Sequence, residues 1–150
     1  MIKKATLLNL PEIFSLSKEL YLDSINHRSL YIWDDEKALL ALQQFITDEN
    51  SIILIDYNAE GLKGYVIAEL NSPIAGHSVI ASVVALYVKP KYRGGTTFLR
   101  LIKFFESWAR EKNATFFELG VSSGVNHDKT LSYYSALGYR PSSVSYIKEI

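Results

Sequence analysis

The sequence predicts one α/β domain, a central mixed and mostly antiparallel sheet with helices on both faces. Three observations carry that reading. First, a β-branched apolar run, Val83-Val84-Ala85-Leu86-Tyr87-Val88, feeds a glycine turn at Arg93-Gly94-Gly95. Residues at helical spacing follow, with Phe98, Leu101, Ile102, Phe105 and Ala109 on one face, and then a further apolar segment at 114–121. Strand, crossover helix and strand in that order predict a parallel pair ending near Val88 and Val121. Second, Ile52-Ile53-Leu54-Ile55 is unbroken by polar residues, as in a strand covered on both faces. Asn58-Ala59-Glu60-Gly61 joins it to its neighbour as an antiparallel hairpin. Third, 150 residues of which 48% are hydrophobic suit a single domain with a substantial core.

The elements follow in order. Residues 2–8 are a first strand, with Ile2, Ala5, Leu7 and Leu8. Asn9 caps a helix over 10–23, where Pro11 is tolerated in the first turn and Ile13, Leu16, Leu20 and Tyr21 recur at helical spacing. Residues 24–33 read as a polar and aromatic connection holding Asn26, His27, Arg28, Tyr31 and Trp33. Asp34 caps the next helix, Asp35 and Glu36 complement its dipole, and Ala38, Ala41, Leu42 and Phe45 form its apolar face to about Thr47. Strands at 51–57 and 62–70 flank the hairpin. In the second, Tyr65, Ile67 and Glu69 share one face and Val66, Ala68 and Leu70 the other. A loop at 71–77 leads to the strand that enters the glycine turn, and the long helix runs to about Lys112. After the strand at 114–121 comes a turn at Ser122-Ser123-Gly124. Asn126 or Asp128 then caps a last helix with Leu131, Tyr134 and Leu137, stopped by Gly138, and a final strand starts near Val144.

Composition excludes several function classes. Lys+Arg and Asp+Glu number 16 each, so the formal net charge is zero and no broad basic surface points to nucleic acid or an anionic membrane. There is no cysteine, so disulfides, thiolate nucleophiles and zinc–thiolate sites are absent. No two histidines have metal-ligand spacing, and no metal is expected. Neither a signal peptide nor a membrane span is visible, and a cytoplasmic location is the expectation. The sequence leaves a homodimer open.

The glycine turn is the chemical centre. A helix N-terminus carries unpaired N–H groups and the positive end of the peptide dipoles. Gly94 and Gly95 let a ligand approach that backbone, and Arg93 is expected to add a fixed charge, which makes an anion site suited to phosphate. Neither Gly-x-x-x-x-Gly-Lys-Ser/Thr nor Gly-x-Gly-x-x-Gly is present, so a P-loop and a dinucleotide fingerprint are unsupported. Val88-x-Pro90-x-Tyr92-Arg93-Gly94 resembles instead the pyrophosphate loop of the GNAT acyltransferase superfamily, Arg/Gln-x-x-Gly-x-Gly/Ala after the fourth strand. Thr96 and Phe98 depart from it, standing where the family has small residues. Asn126, Tyr133-Tyr134 and Leu137-Gly138-Tyr139 resemble that family's last conserved helix.

The resemblance implies a GNAT-like fold and acyl transfer, usually acetyl, from acetyl-CoA to a primary amine by direct attack in a ternary complex. Leu86, Tyr87 and Val88 would receive the pantetheine, Arg93, Gly94, Gly95, Thr96, Thr97 and Phe98 would surround the pyrophosphate, and Asn126 would complete the cofactor site. Tyr134 maps onto the tyrosine beside the coenzyme A sulfur, where a phenol can protonate the thiolate leaving group. From spacing alone, Tyr134 also reads as core beside Leu131 and Leu137. Glu69 and Glu118, on strands, are candidate bases, and His77, His27 and His127 are histidines that as readily stand in solvent. Residues 24–33 and 71–77 are expected to flank the acceptor. Arg100 and Lys103 are within possible reach of an outer phosphate or are solvated helix charges. An alternative reading keeps the fold and CoA binding, or protein interaction, without turnover.

Overall fold

The computed structural model describes residues 1–150. Five strands form one sheet in sequence order: β1 (Ile2–Lys4), β2 (Ser51–Asn58), β3 (Gly61–Asn71), β4 (Ile80–Val88) and β5 (Phe116–Glu118). The first three pairings are antiparallel and β4–β5 is parallel, as the crossover through a helix demands. The helices are α1 (Leu10–Asp23), α2 (Ile25–Leu30), α3 (Asp35–Thr47), α4 (Thr97–Glu111) and α5 (His127–Ala136).

The sheet separates two cores. Ile53 and Ile55 of β2 and Tyr65 and Ile67 of β3 pack on Ile13, Leu16 and Leu20 of α1 and on Leu42 and Ile46 of α3. Ile52, Leu54, Val66 and Ala68 point the other way, onto Leu101, Phe105, Trp108 and Ala109 of α4. The unbroken apolar run in β2 therefore feeds both layers, which is why it shows no polar alternation. Phe105 is wholly buried, and its truncation to alanine would cost about 3–5 kcal/mol.

Several boundaries differ from the sequence reading. The first strand ends at Lys4, and Leu7–Asn9 form a 3₁₀ turn. Asn9 turns its side-chain oxygen back to the Thr6 N–H at 3.0 Å instead of capping α1. Within 24–33 lies the six-residue α2, capped by the Ser24 side chain; so short a helix, with no buried residue, leaves no periodicity to read. Strand β4 begins at Ile80, before the β-branched run. Strand β5 keeps only Phe116–Glu118 of the expected 114–121. Asn126 stands at the N-cap of α5 in the left-handed region, φ 49°, and Asp128 lies in the first turn. No strand forms at the C-terminus, where Val144, Tyr146 and Ile147 are exposed. No helix is long and apolar enough to cross a membrane.

Candidate active site

The site follows from a short parallel ladder. β4 and β5 pair only at Ile80–Phe116, Ala81–Phe117 and Ser82–Glu118. Past Ser82, β4 continues to Val88 without a β5 partner. On its other edge the register with β3 slips between Ile67–Ala85 and Ala68–Val83, leaving Val84 as the extra residue of a bulge. A bulge bends and twists its strand, here where β4 and β5 part. A cleft opens between them. Its walls are Val83 to Val88, the glycine turn with Phe98, the stretch Gly120-Val121-Ser122-Ser123, one face of α5, and Leu20 and His27 from α1 and α2.

At one end stands the N-terminus of α4. The first backbone bond of that helix runs from the Arg100 N–H to the Thr96 carbonyl at 2.9 Å, and Thr96 offers no side-chain cap. The N–H groups of Gly94, Gly95, Thr96, Thr97, Phe98 and Leu99 thus have no acceptor within the chain. Gly94 holds φ at +82°, a conformation that favours glycine, and the space where a Cβ would stand is open. Donors of this kind, with the helix dipole behind them, are ordered for an anion.

Arg93 corrects the sequence expectation. Its Nε donates to the Val88 carbonyl at 2.9 Å, an η nitrogen meets the Asp23 carboxylate at 2.8 Å, and the guanidinium lies 5.2 Å from the Tyr87 ring centre. It ties the glycine turn to β4 and α1, with its charge balanced. The hydrogen bond from Arg93 is also the main reason the Asp23 carboxyl lies below its ordinary range. Tyr87 donates to the same carboxylate at 3.2 Å, and burial, followed by that carboxylate's charge, pushes its phenol up to about 12. The cation that the cleft does expose is Lys129 of α5. It was missed because one lysine in a helical first turn carries no pattern.

The remaining site residues divide clearly. Leu86, Tyr87, Val88, Arg93, Gly94, Gly95, Phe98, Asn126 and Tyr134 line the cleft together. Thr96 and Thr97 lie outside that lining, at the N-terminus of α4. The Thr97 side chain is buried. Phe98 spends its bulk on α5, with ring centres 5.5 Å from Tyr133 and 6.2 Å from Tyr134. The Tyr134 hydroxyl donates to the Gly120 carbonyl at 2.9 Å, and burial pushes its phenol up to about 12. It is at once core and cleft wall.

Glu69 and Glu118 are not brought to the cleft. Both lie opposite Ser82, Glu69 half-buried and Glu118 exposed, one residue before β4 leaves β5. Parity along a strand told that they were on the sheet but not where the ladder ended. His77 and His127 are also outside the lining, whereas His27 is in it. Tyr31 and Trp33 pack on Tyr21, with ring centres 5.3 and 5.5 Å away, and do not reach the cleft. Asp34 caps α3 through the Lys37 N–H, and Asp35 is held by Lys18 and Trp33. Arg100 turns to buried Asp56 at 3.5 Å, away from the cleft.

The same architecture recurs in solved structures. An aminoglycoside 6'-N-acetyltransferase from Acinetobacter haemolyticus matches at 18% identity with a TM-score of 0.76, covering 100% of this chain and 99% of that one. A second aminoglycoside 6'-N-acetyltransferase, in complex with a bisubstrate analogue joining CoA to an acetylneamine, matches at 16% identity with a TM-score of 0.79, over 100% and 98% of the two chains. A Bacillus halodurans protein described as a transcriptional regulator matches at 17% identity with a TM-score of 0.80, over 100% and 99%. At such identities the likeness is one of fold. No curated protein sequence matches the chain. The sequence model of the acetyltransferase (GNAT) family does match, across residues 10–139, and with that span covered the chain belongs to the acetyltransferase (GNAT) family.

Proposed function

We propose that the protein is an acyl-CoA-dependent N-acyltransferase that moves an acetyl group from acetyl-CoA to a primary amine by direct attack in a ternary complex. The observation that carries this is the row of partnerless N–H groups from Gly94 to Leu99, of which Gly94, Gly95 and Phe98 line the cleft between β4 and β5. The lining fits a long anionic thioester. No Asp or Glu opposes its phosphates, Lys129 is available to them, and the unpaired edge of β4 from Val83 to Val88 offers backbone groups to pantetheine amides. Acetyl-CoA supplies the activated acyl carbon and a thiolate leaving group. The chain supplies the rest: N–H groups of the glycine turn bind phosphate, Asn126 lines the same cleft, and the protonated Tyr134 phenol gives a proton to sulfur.

Thermal denaturation with CoA, acetyl-CoA and ATP tests the binding. At a hundredfold excess over Kd, binding adds about 2.7 kcal/mol, a rise in Tm of roughly 5–10 °C for a domain of this size. CoA species should stabilise selectively, and no shift with either one overturns the proposal. A panel of amines followed by release of free thiol then tests turnover. Stabilisation without thiol release on any amine would establish instead a fold kept for binding alone.

A further inference from the structure

Before the amine can attack, it must lose a proton, and the cleft wall holds one group suited to accept it. No carboxylate lines the cleft. Arg93 and Lys129 are cations. The tyrosines are phenols, donors of protons and not acceptors at neutral pH. His27 remains, half-buried on the wall, with no ring hydrogen bond and no ion pair inside the chain.

The backbone around His27 is fixed. Buried Ser24 accepts the His27 N–H at 3.1 Å and donates its own hydroxyl to the Ser123 carbonyl at 2.6 Å. Asn26 donates to the Ser122 carbonyl at 3.0 Å. Gly124 makes this approach possible, because a Cβ there would come within 2.8 Å of the Asn26 amide nitrogen. Tyr134 is fixed to the same stretch at Gly120. From Gly120 to Ser123 an extended chain spans only about 10 Å.

We propose that His27 is the base that takes the proton from the acceptor amine, so that proton removal and proton delivery are anchored to one short stretch, Gly120–Ser123. This rests on the acetyl-transfer reading above. An imidazole nitrogen accepts a proton from the ammonium, and the freed nitrogen lone pair forms the C–N bond. The C–S bond breaks with its electron pair on sulfur, which takes the Tyr134 proton. The second nitrogen proton passes through water to restore the phenol, and His27 returns its proton to solvent. Two protons leave nitrogen, one reaches sulfur and one is released.

No uncommitted carboxylate faces His27 from the elements packed against it. Its own helix offers Arg28 and the C-cap Tyr31, whose ring centre is 6.0 Å away. α1 offers Asp23, already held by Arg93 and Tyr87. β4 offers Tyr87, α5 offers Lys129, Tyr133 and Tyr134, and the stretch after β5 has no titratable side chain. Burial lowers the imidazole from its ordinary 6.5, and a base so placed is active above that point and silenced below it.

The test measures kcat/KM against pH for the full chain, using acetyl-CoA and an amine that the parent acetylates. The parent should lose activity as pH falls through the lowered His27 value. His27→Asn should lose about 10²–10³-fold in kcat/KM and also lose that acidic limb, with CoA affinity and Tm close to the parent's. Added imidazole should restore part of the activity of His27→Ala, which a packing role would not allow. His27→Asn within about threefold of the parent with the limb intact, or a limb that vanishes in Glu69→Gln instead, overturns the assignment and leaves acetyl transfer standing. A parent that binds CoA but acetylates no amine removes both.

Discussion

Tyr134 does two jobs that one substitution separates. Its ring completes the contact with Phe98 and Tyr139, at centre distances of 6.2 and 6.1 Å, and its hydroxyl bonds the Gly120 carbonyl. Tyr134→Phe keeps the first and removes the second. Since burial holds the phenol at about 12, the group carries its proton throughout the neutral range, and delivering it to sulfur requires the O–H to turn from the Gly120 carbonyl. Turnover of Tyr134→Phe is expected to fall by about 10²–10⁴, while stability falls by only about 0.5–1.5 kcal/mol for the lost hydrogen bond. CoA affinity should hold, because the N–H groups proposed to bind the pyrophosphate belong to the glycine turn. Equal kcat for the two proteins, measured with their melting temperatures, would leave proton delivery to solvent.

Among the elements, the N-terminus of α4 concentrates the binding argument. Gly94→Asp forces an L-residue into φ +82°, at about 1–2 kcal/mol, and sets a negative charge among the N–H groups proposed to bind phosphate. Calorimetry should show CoA bound at least about tenfold more weakly, with the far-ultraviolet spectrum unchanged. Parent-like affinity in a folded Gly94→Asp would move the phosphate site elsewhere. This element was legible in the sequence because strand, glycine turn and amphipathic helix are local signals, and the parallel pairing of β4 with β5 followed from their order. Other features were not local. Where the β4–β5 ladder stops decides that Glu69 and Glu118 miss the cleft, and a three-residue strand leaves no pattern that marks its end. The capture of Arg93 by Asp23 joins residues 70 positions apart. His27 was visible as a histidine, but only the docking of Ser24 and Asn26 on Ser123 and Ser122 puts it on the wall.

At the scale of the whole molecule, the distribution of acidic groups bears on the acceptor. The chain carries equal numbers of acidic and basic residues, yet none of its carboxylates lines the cleft. Asp23 is committed to Arg93 and Tyr87, Asp34 to the cap of α3, and Asp35 to Lys18 and Trp33. An acceptor with several positive charges would therefore find no counter-charge in the cleft, and it would leave water without compensation. The fold shared with aminoglycoside acetyltransferases does not carry their acceptor across at these identities. Monoamines with an apolar body should be acetylated with kcat/KM at least about tenfold above polyamines, a difference of about 1.4 kcal/mol in transition-state binding. Raising ionic strength to physiological levels, where the screening length is about 8 Å, should change kcat/KM for the amine by less than about twofold. A preference for polyamines with a steep loss on adding salt would show that carboxylates outside the cleft wall do the recognising, and Asp34→Asn and Asp35→Asn would then be the variants to find them.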